Sequence, residues 1–371
     1  MEKSNVYFTD MRCDVGTSLL DKLAKLIDRA GIANIDFNNK FTALKVHFGE
    51  PGNLSFLRPN FAKTVADRVI ALGGKPFLTD CNTLYVGRRK DALEHIAAAQ
   101  ENGFSPLSTS CQIIIGDGLK GTDDVEVPVS GGVYCKTARI GQAVMDADIV
   151  ISISHFKGHE QVGFGGALKN IGMGCGSRAG KMQMHNEGKP TVNAKRCKAC
   201  RVCAKYCAHG AIAFSGEEGR AVIDEGKCVG CGRCIGACNF GAISNRSGTS
   251  YEILDCKIAE YTKAVLDGRP HFHVSVVNQV SPYCDCHAEN DAAIVPDIGM
   301  FASFDPVAID AACIDAVNAA PAIKTSILSD VECDHGCDHF TNIHPATDWR
   351  VALDHAEKIG LGHRAYELIE I

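Results

Sequence analysis

Two copies of one cysteine spacing constrain this chain more than any other feature of its sequence. Each copy has the pattern C-x2-C-x2-C-x3-C, at residues 197–207 and 228–238. Three thiolates separated by two residues each wrap one corner of an iron–sulfur cubane, and the fourth points toward a different cluster. The spacing therefore predicts two [4Fe–4S] clusters with crossed ligands. One set is Cys197, Cys200, Cys203 and Cys238, and the other is Cys228, Cys231, Cys234 and Cys207.

The repeat continues beyond the cysteines, because residues 207–212 (CAHGAI) are echoed by residues 238–243 (CNFGAI). Residues around 190–245 resemble a two-cluster ferredoxin domain of the bacterial type, although Ala208 and Asn239 replace the usual proline after each fourth cysteine. A pair of zinc ribbons is the alternative, but this dense spacing fits zinc poorly. We therefore predict an α+β ferredoxin-like domain at residues 189–246, inserted between host segments 1–188 and 247–371.

The composition of the chain limits its possible binding partners and its cellular compartment. The chain of 371 residues contains 19 cysteines and carries a formal net charge of -6. This charge gives no electrostatic support for binding nucleic acid or an anionic membrane, and no apolar run approaches the roughly 20 residues of a membrane helix. Residues 1–8 lack the apolar core of a signal peptide, so we expect a cytoplasmic protein whose cysteines bind metal rather than form disulfides.

Strand and helix patterns alternate on both sides of the cysteine repeat. Such alternation predicts an α/β host with a mostly parallel sheet. Strands are predicted at residues 41–48, 75–81, 111–115, 149–154, 271–280 and 366–371. Helices are predicted at residues 59–72, 88–102, 138–148, 251–266, 306–320 and 347–359.

A polar, glycine-rich stretch follows the strand at residues 149–154. It contains His155, Lys157, His159 and Lys169, with seven glycines in residues 163–181. Ligands of open α/β sheets bind at the carboxyl ends of strands, so these four side chains are candidate catalytic residues. A plain glycine-rich loop packed under the inserted domain is the alternative. The G-x-G-x-x-G run at residues 116–121 is interpreted as a turn, because no helix pattern follows it.

Three runs resemble the domain-of-unknown-function 362 family. They are SHFKGHE at residues 154–160, GGALKN at residues 165–170 and the late stretch PDIGMFASFDPVAID at residues 296–310. The likeness extends from about Lys45 to Asn318. It implies an α/β host that often carries an inserted two-cluster ferredoxin, and a redox role in anaerobes. It implies no substrate.

Other cysteines cluster with histidine outside the repeat. Cys284 and Cys286 follow the strand at residues 271–280, and a second group alternates along residues 333–339 as Cys333, His335, Cys337 and His339. Together these cysteines and histidines predict a further metal site, which would hold zinc or form a third iron or nickel centre. A surface loop with adventitious metal affinity is the alternative. The isolated Cys13, Cys81, Cys111, Cys135, Cys256 and Cys313 are expected to be small buried apolar residues.

Three functions follow from these features. The first is an iron–sulfur oxidoreductase that passes single electrons from a redox partner protein to a small-molecule substrate on the host. The second is a non-enzymatic electron carrier on a docking scaffold, and the third is a protein of metal or cofactor assembly. Residues 189–245 carry nine Lys/Arg against four Asp/Glu, a local charge of +5 that suits an acidic electron donor.

Overall fold

Strands and helices alternate along most of the chain in the computed structural model, which describes residues 3–85, 87–185, 189–207, 209–228, 233–238, 240–245, 250–331, 336 and 338–371. The strands are β1 Ser4–Asp10, β2 Phe41–Val46, β3 Lys75–Asp80, β4 Gln112–Ile115, β5 Asp124–Pro128, β6 Thr137–Gly141, β7 Ile149–His155, β8 Lys157–His159, β9 Gly163–Gly165, β10 Pro190–Val192, β11 Ile212–Ser215, β12 Arg220–Ile223, β13 Ile243–Asn245, β14 His271–Val277, β15 Gly299–Ser303 and β16 Tyr366–Glu370. The helices are α1 Leu19–Arg29, α2 Pro59–Ala71, α3 Ala92–Glu101, α4 Pro106–Thr109, α5 Gln142–Asp146, α6 Ala167–Cys175, α7 Arg178–His185, α8 Val202–Lys205, α9 Arg233–Gly236, α10 Tyr251–Leu266, α11 Pro306–Ala319, α12 His339–Ile343 and α13 Arg350–Lys358.

Eight strands form one sheet, in the order β16-β1-β15-β14-β7-β2-β3-β4. Only β15 runs antiparallel to its two neighbours, and the other neighbouring pairs are parallel. The predicted α/β class with a mostly parallel sheet is therefore confirmed. All seven residues of β7 are buried, as expected for a strand that is covered on both faces.

The sheet lies between two layers of helices. Ile151 and Ile153 of β7 belong to the same core as residues of α1 and α2, whereas Val150 packs with residues of α6 and α10. Successive side chains of a strand point to opposite faces, so this division follows directly from the strand geometry. None of the described helices is both long enough and apolar enough to span a membrane.

Most predicted elements occur close to their expected bounds, and α10 matches its prediction at both ends. Two predicted helices were wrong in part. Residues 138–148 divide between β6 and the short α5, because β6 pairs with β5 as a hairpin on the outside of the main sheet. The helix expected from residue 88 begins at Ala92, where Asp91 caps it by accepting a hydrogen bond from the backbone N–H of Glu94. Cys13 was also expected to be buried, but it is exposed.

The cysteine-rich stretch leaves and rejoins the main fold at one place. β10 pairs antiparallel with β13, which brings its two ends together. Between them lie the β11–β12 hairpin and the short helices α8 and α9. Four of the repeat cysteines share one apolar core with two residues from elsewhere in the chain, Leu84 and Met182. These cysteines are Cys197, Cys203, Cys234 and Cys238.

Candidate functional site

A cavity of about 540 Å³ opens at the carboxyl end of the parallel strands β2, β3 and β7. One wall comes from the strand ends and the segments that follow them, including Lys157, His159 and Cys286. The opposite wall belongs to the cysteine-rich stretch and includes Arg196, Ile235, Gly241, Ile243 and Ser244. The cavity therefore lies where the two parts of the chain meet.

Buried ion pairs line the end of β2 and β3. The Lys45 Nζ atom lies 3.1 Å from an Asp80 oxygen and donates to the Asn170 side-chain oxygen at 2.7 Å. Arg89 is 1% exposed, and its Nε atom lies 2.9 Å from a Glu50 oxygen. Buried charges persist in proteins only when they are paired and hydrogen-bonded. Charges at this edge of the sheet are consequently held in defined positions.

Asp285 joins two of the predicted catalytic residues to the loop that carries the cysteines. Its carboxylate is buried and lies 2.9 Å from His155 Nδ1 and 3.1 Å from Lys157 Nζ. The other ring nitrogen of His155 contacts the carbonyl oxygen of Asn278 at 2.8 Å. Both ring nitrogens of His155 are therefore engaged, and His155 does not line the cavity; its catalytic role stays a prediction. Lys157 does reach the cavity wall.

Cys284 lies beneath the cavity in a charged environment. Its Sγ atom accepts hydrogen bonds from Lys169 Nζ at 3.3 Å and from the backbone N–H of Cys286 at 3.4 Å. Burial opposes ionisation, but the hydrogen bond from the Cys286 side chain and the charges of Lys169 and His159 hold the pKa of Cys284 well below its usual range. The pKa of Cys286 is shifted upward in turn, chiefly by its side-chain hydrogen bond with Cys284, so Cys284 is the hydrogen-bond acceptor of the pair.

Two overlapping groups of side chains at the cavity floor have the chemistry of metal ligands. One is His159, Cys284 and Cys286, and the other is Glu160, Cys286 and His287. Within each group the candidate ligand atoms all lie within 4.8 Å of one another. The fold thus brings Cys284 and Cys286 to His159, which lies far away in sequence.

Glycines allow the close backbone approaches that shape this floor. A Cβ atom on Gly158 would lie 2.3 Å from the carbonyl oxygen of Pro282, so β8 packs directly against the loop before Cys284. A Cβ atom on Gly172 would lie 2.2 Å from the carbonyl oxygen of Ile258 in α10. The glycine-rich stretch forms β9, α6 and α7 rather than an open loop. Its glycines serve packing, while Lys169 and Lys181 reach the cavity.

The other predicted ligands lie apart from this floor or outside the described residues. His339 begins α12, and its Nε2 atom lies 3.0 Å from the carbonyl oxygen of Ala320. Cys333, His335, Cys337 and the cluster cysteine Cys231 fall outside the described residues. Their predicted part in metal binding stays a prediction.

Several residues of the site escaped the sequence analysis. Lys45, Asp80 and Arg89 line the cavity, yet none belongs to a motif. A lysine inside an otherwise apolar strand is a signal for Lys45, since a lysine is almost never fully buried without a partner. Glu160, Asp285 and His287 lie next to predicted residues, but only the fold shows which atoms they meet.

His95 provides a test of the buried charge network. It is fully buried, and neither ring nitrogen has a hydrogen-bond partner among the described residues. Burial lowers its pKa to about 3, whereas an unfolded histidine titrates near pH 6.5. Unfolding below about pH 6.5 therefore takes up a proton, and stability falls as the pH drops toward 3, by about 1.4 kcal/mol per pH unit.

Urea unfolding between about pH 4 and about pH 6.5 measures how the free energy of unfolding changes with pH. We expect His95→Leu to lower this slope by about 1.4 kcal/mol per pH unit, which corresponds to one proton fewer taken up on unfolding. Above about pH 7 the two proteins should show the same pH dependence, which serves as the internal control. Equal acid slopes would mean that native His95 binds its proton as readily as the unfolded residue does.

Together these features define an α/β protein with a cysteine-rich insertion and a polar cavity at the strand ends. Residues 42–315 match the family described as domain of unknown function (DUF362). The chain belongs to this family.

Similarity to individual proteins is limited. A thylakoid-associated protein of Synechocystis, sll1697, is 29% identical over 149 residues, which cover 38% of this chain and 40% of that protein. The chain thus spans less than half of that relative. Two solved structures are each 11% identical to this chain. The lactate racemase apoprotein of Thermoanaerobacterium thermosaccharolyticum has a TM-score of 0.34, and the match covers 74% of this chain and 51% of that one. A protein of Thermotoga maritima has a TM-score of 0.35, and the match covers 92% of this chain and 58% of that one.

Proposed function

We propose that the protein is an iron–sulfur oxidoreductase that passes electrons from the cysteine-rich stretch to a substrate in the strand-end cavity. The observation that carries this proposal is the composition of the cavity wall. Arg196 and Ile235, which flank Cys197 and Cys234 in sequence, line the same cavity as Lys157 and His159. A substrate bound there lies next to both the electron source and groups that can hold or move protons.

The eight repeat cysteines would hold two [4Fe–4S] clusters, which supply one-electron transfer when bound. The thiols themselves support this fit. Burial raises the pKa of Cys203, and the neighbouring charges of Cys200, Cys238 and Cys197 raise it further. Cys238 also lies in one apolar core with Cys197 and Cys203 of the first repeat, as crossed ligation requires.

Hydrogen bonds to sulfur give a second line of support. The backbone N–H of Ala211 donates to Cys207 Sγ at 3.2 Å, and that of Ala242 donates to Cys238 Sγ at 3.3 Å. These bonds occupy equivalent positions in the two repeats. N–H donors to sulfur stabilise negative charge on cluster ligands and tune their reduction potential.

The backbone around Cys200 also suits a cluster. Ala199 and Arg201 have φ values of 52° and 63°, in a left-handed region that side chains other than glycine rarely adopt. The second repeat has Gly230 and Gly232 at the corresponding positions. A loop that curls around a cubane explains why the first repeat keeps this conformation without glycine.

The surface around Cys200 indicates the class of electron donor. Cys200 is exposed, and so are the nearby Lys195, Arg196, Lys198, Arg201 and Lys205. Residues 189–216 contain no acidic residue. An acidic redox protein would be attracted to this surface.

The proposal is tested with anaerobically purified protein that contains about eight irons per chain. The protein is reduced, and its visible absorption is followed after addition of the small-molecule fraction of a cell extract. We expect reoxidation, and we expect Lys157→Met to slow it at least tenfold without loss of iron. Lys25→Met, on the exposed face of α1 and away from both the cavity and the basic surface around Cys200, is the matched control. Reoxidation by the protein fraction alone, at the same rate in both variants, would instead identify a carrier.

A further inference from the structure

We propose that the main fold carries a metal centre of its own, in which His159, Cys284 and Cys286 bind one zinc ion at the floor of the cavity. This site is separate from the repeat cysteines and does not depend on the proposed electron transfer. The proposed ligand set does not include Cys333, His335 or Cys337, which lie outside the described residues.

Contacts within the protein position the two segments that carry the ligands. The ligands come from the end of β8 and from the loop after β14, and two contacts hold these segments together. The backbone N–H of Gly158 donates to the carbonyl oxygen of Ser281 at 2.8 Å, and His155 contacts Asp285 at 2.9 Å. Asp285 stands between the two cysteines and is buried. Because these contacts fix the backbone on both sides of Cys284, little ordering remains for metal binding.

The donor set selects the metal. Two thiolates and one imidazole suit a borderline-soft divalent ion, and zinc accepts both sulfur and nitrogen in tetrahedral geometry. Catalytic zinc sites use three protein ligands and leave the fourth position to water or substrate. Here Cys284 is fully buried, whereas Cys286 and His159 line the cavity. The open position would face the cavity.

Neighbouring groups complete the environment. Lys169 Nζ donates to Cys284 Sγ at 3.3 Å and so offsets the charge of one buried thiolate. On the cavity side, His287 Nε2 lies 2.8 Å from a Glu160 oxygen, and both belong to the second ligand group around Cys286. A water bound to the ion would have Glu160 and His287 within reach as proton acceptor and donor. Such surrounding groups orient ligands and control the basicity of bound water.

Binding requires one local change. His159 Nδ1 accepts a hydrogen bond from the backbone N–H of Gln161 at 3.1 Å, so the ring proton is on Nε2. An ion at Nε2 moves this proton to Nδ1 and breaks the contact with Gln161. We therefore expect the turn at residues 160–162 to shift when zinc binds, and its amide hydrogen exchange to change.

The test uses the full chain, purified anaerobically from zinc-supplemented medium and treated with a mild chelator. We expect about one zinc per chain and a zinc-edge X-ray absorption spectrum with two sulfur neighbours near 2.3 Å. The double variant C284S/C286S should lose zinc and keep its iron, which also shows that it folds. The matched double variant C256S/C313S, which changes buried cysteines of α10 and α11, should keep both metals.

Three results would overturn the proposal. They are no zinc in the wild-type protein, zinc retained undiminished in C284S/C286S, and an absorption spectrum without sulfur neighbours. Loss of iron from the wild-type protein with zinc retained would refute the proposed electron transfer and leave this site intact.

Discussion

Replacing Cys238 with serine is expected to remove the cluster bound by Cys197, Cys200 and Cys203, and to leave the other cluster in place. Cys238 lies in the second repeat, yet it shares one buried core with Cys197 and Cys203 of the first. A serine hydroxyl is a poor substitute for a thiolate ligand of iron. Iron content should fall from about eight to about four per chain, measured together with acid-labile sulfide in anaerobic protein.

Double variants identify which cluster is lost. If Cys197 and Cys238 serve one cluster, C197S/C238S should lose no more iron than either single change. C228S/C238S should lose nearly all of it, because the two changes act on different clusters. Cys256→Ser, a buried cysteine of α10 outside both repeats, is the control and should keep all of the iron. The opposite pattern in the two double variants would show ligation within each repeat.

The second large effect is expected from Arg89→Ala. Arg89 is 1% exposed and contacts Glu50 at 2.9 Å and Asp80 at 3.6 Å. Removal of the guanidinium leaves Glu50 without its buried partner. Breaking a buried pair in this way costs about 3–5 kcal/mol in the free energy of unfolding. Urea unfolding of the two proteins in parallel measures this loss.

Arg88 supplies a matched control beside it in the chain. Its side chain is 41% exposed and also contacts two carboxylates, Glu94 and Glu101. Surface pairs contribute little because water screens them, so Arg88→Ala should leave the free energy of unfolding nearly unchanged. A similar loss in the free energy of unfolding of both variants would mean that burial of the Arg89 ion pairs adds nothing to stability.

Local features explain why much of the fold was predictable. The helix α10 begins after Ser250, whose side chain accepts a hydrogen bond from the N–H of Ile253, and α11 begins after Asp305 with Pro306 in its first turn. Such caps are encoded within a few residues. The helix predicted at residues 138–148 was wrong in part, because β6 pairs with β5 despite the helical pattern of its sequence. Strand pairing depends on a partner that a local window does not contain.

The sequence by itself determined most of the strands and helices, and it suggested the types of ligand. Cysteine spacing predicted the clusters, continuous apolar runs predicted buried strands, and the Cys284–Cys286 pair suggested a metal site. Only the tertiary structure decided which of these groups meet. The parallel register of β2, β3 and β7 aligns their carboxyl ends, and the loop after β14 folds back on β8, so that His159 reaches Cys284 and Lys45 reaches Asp80. The physical reason is that burial of the sheet on both faces fixes the register of its strands. The register, rather than any local sequence pattern, then decides which side chains meet at the carboxyl ends of the strands.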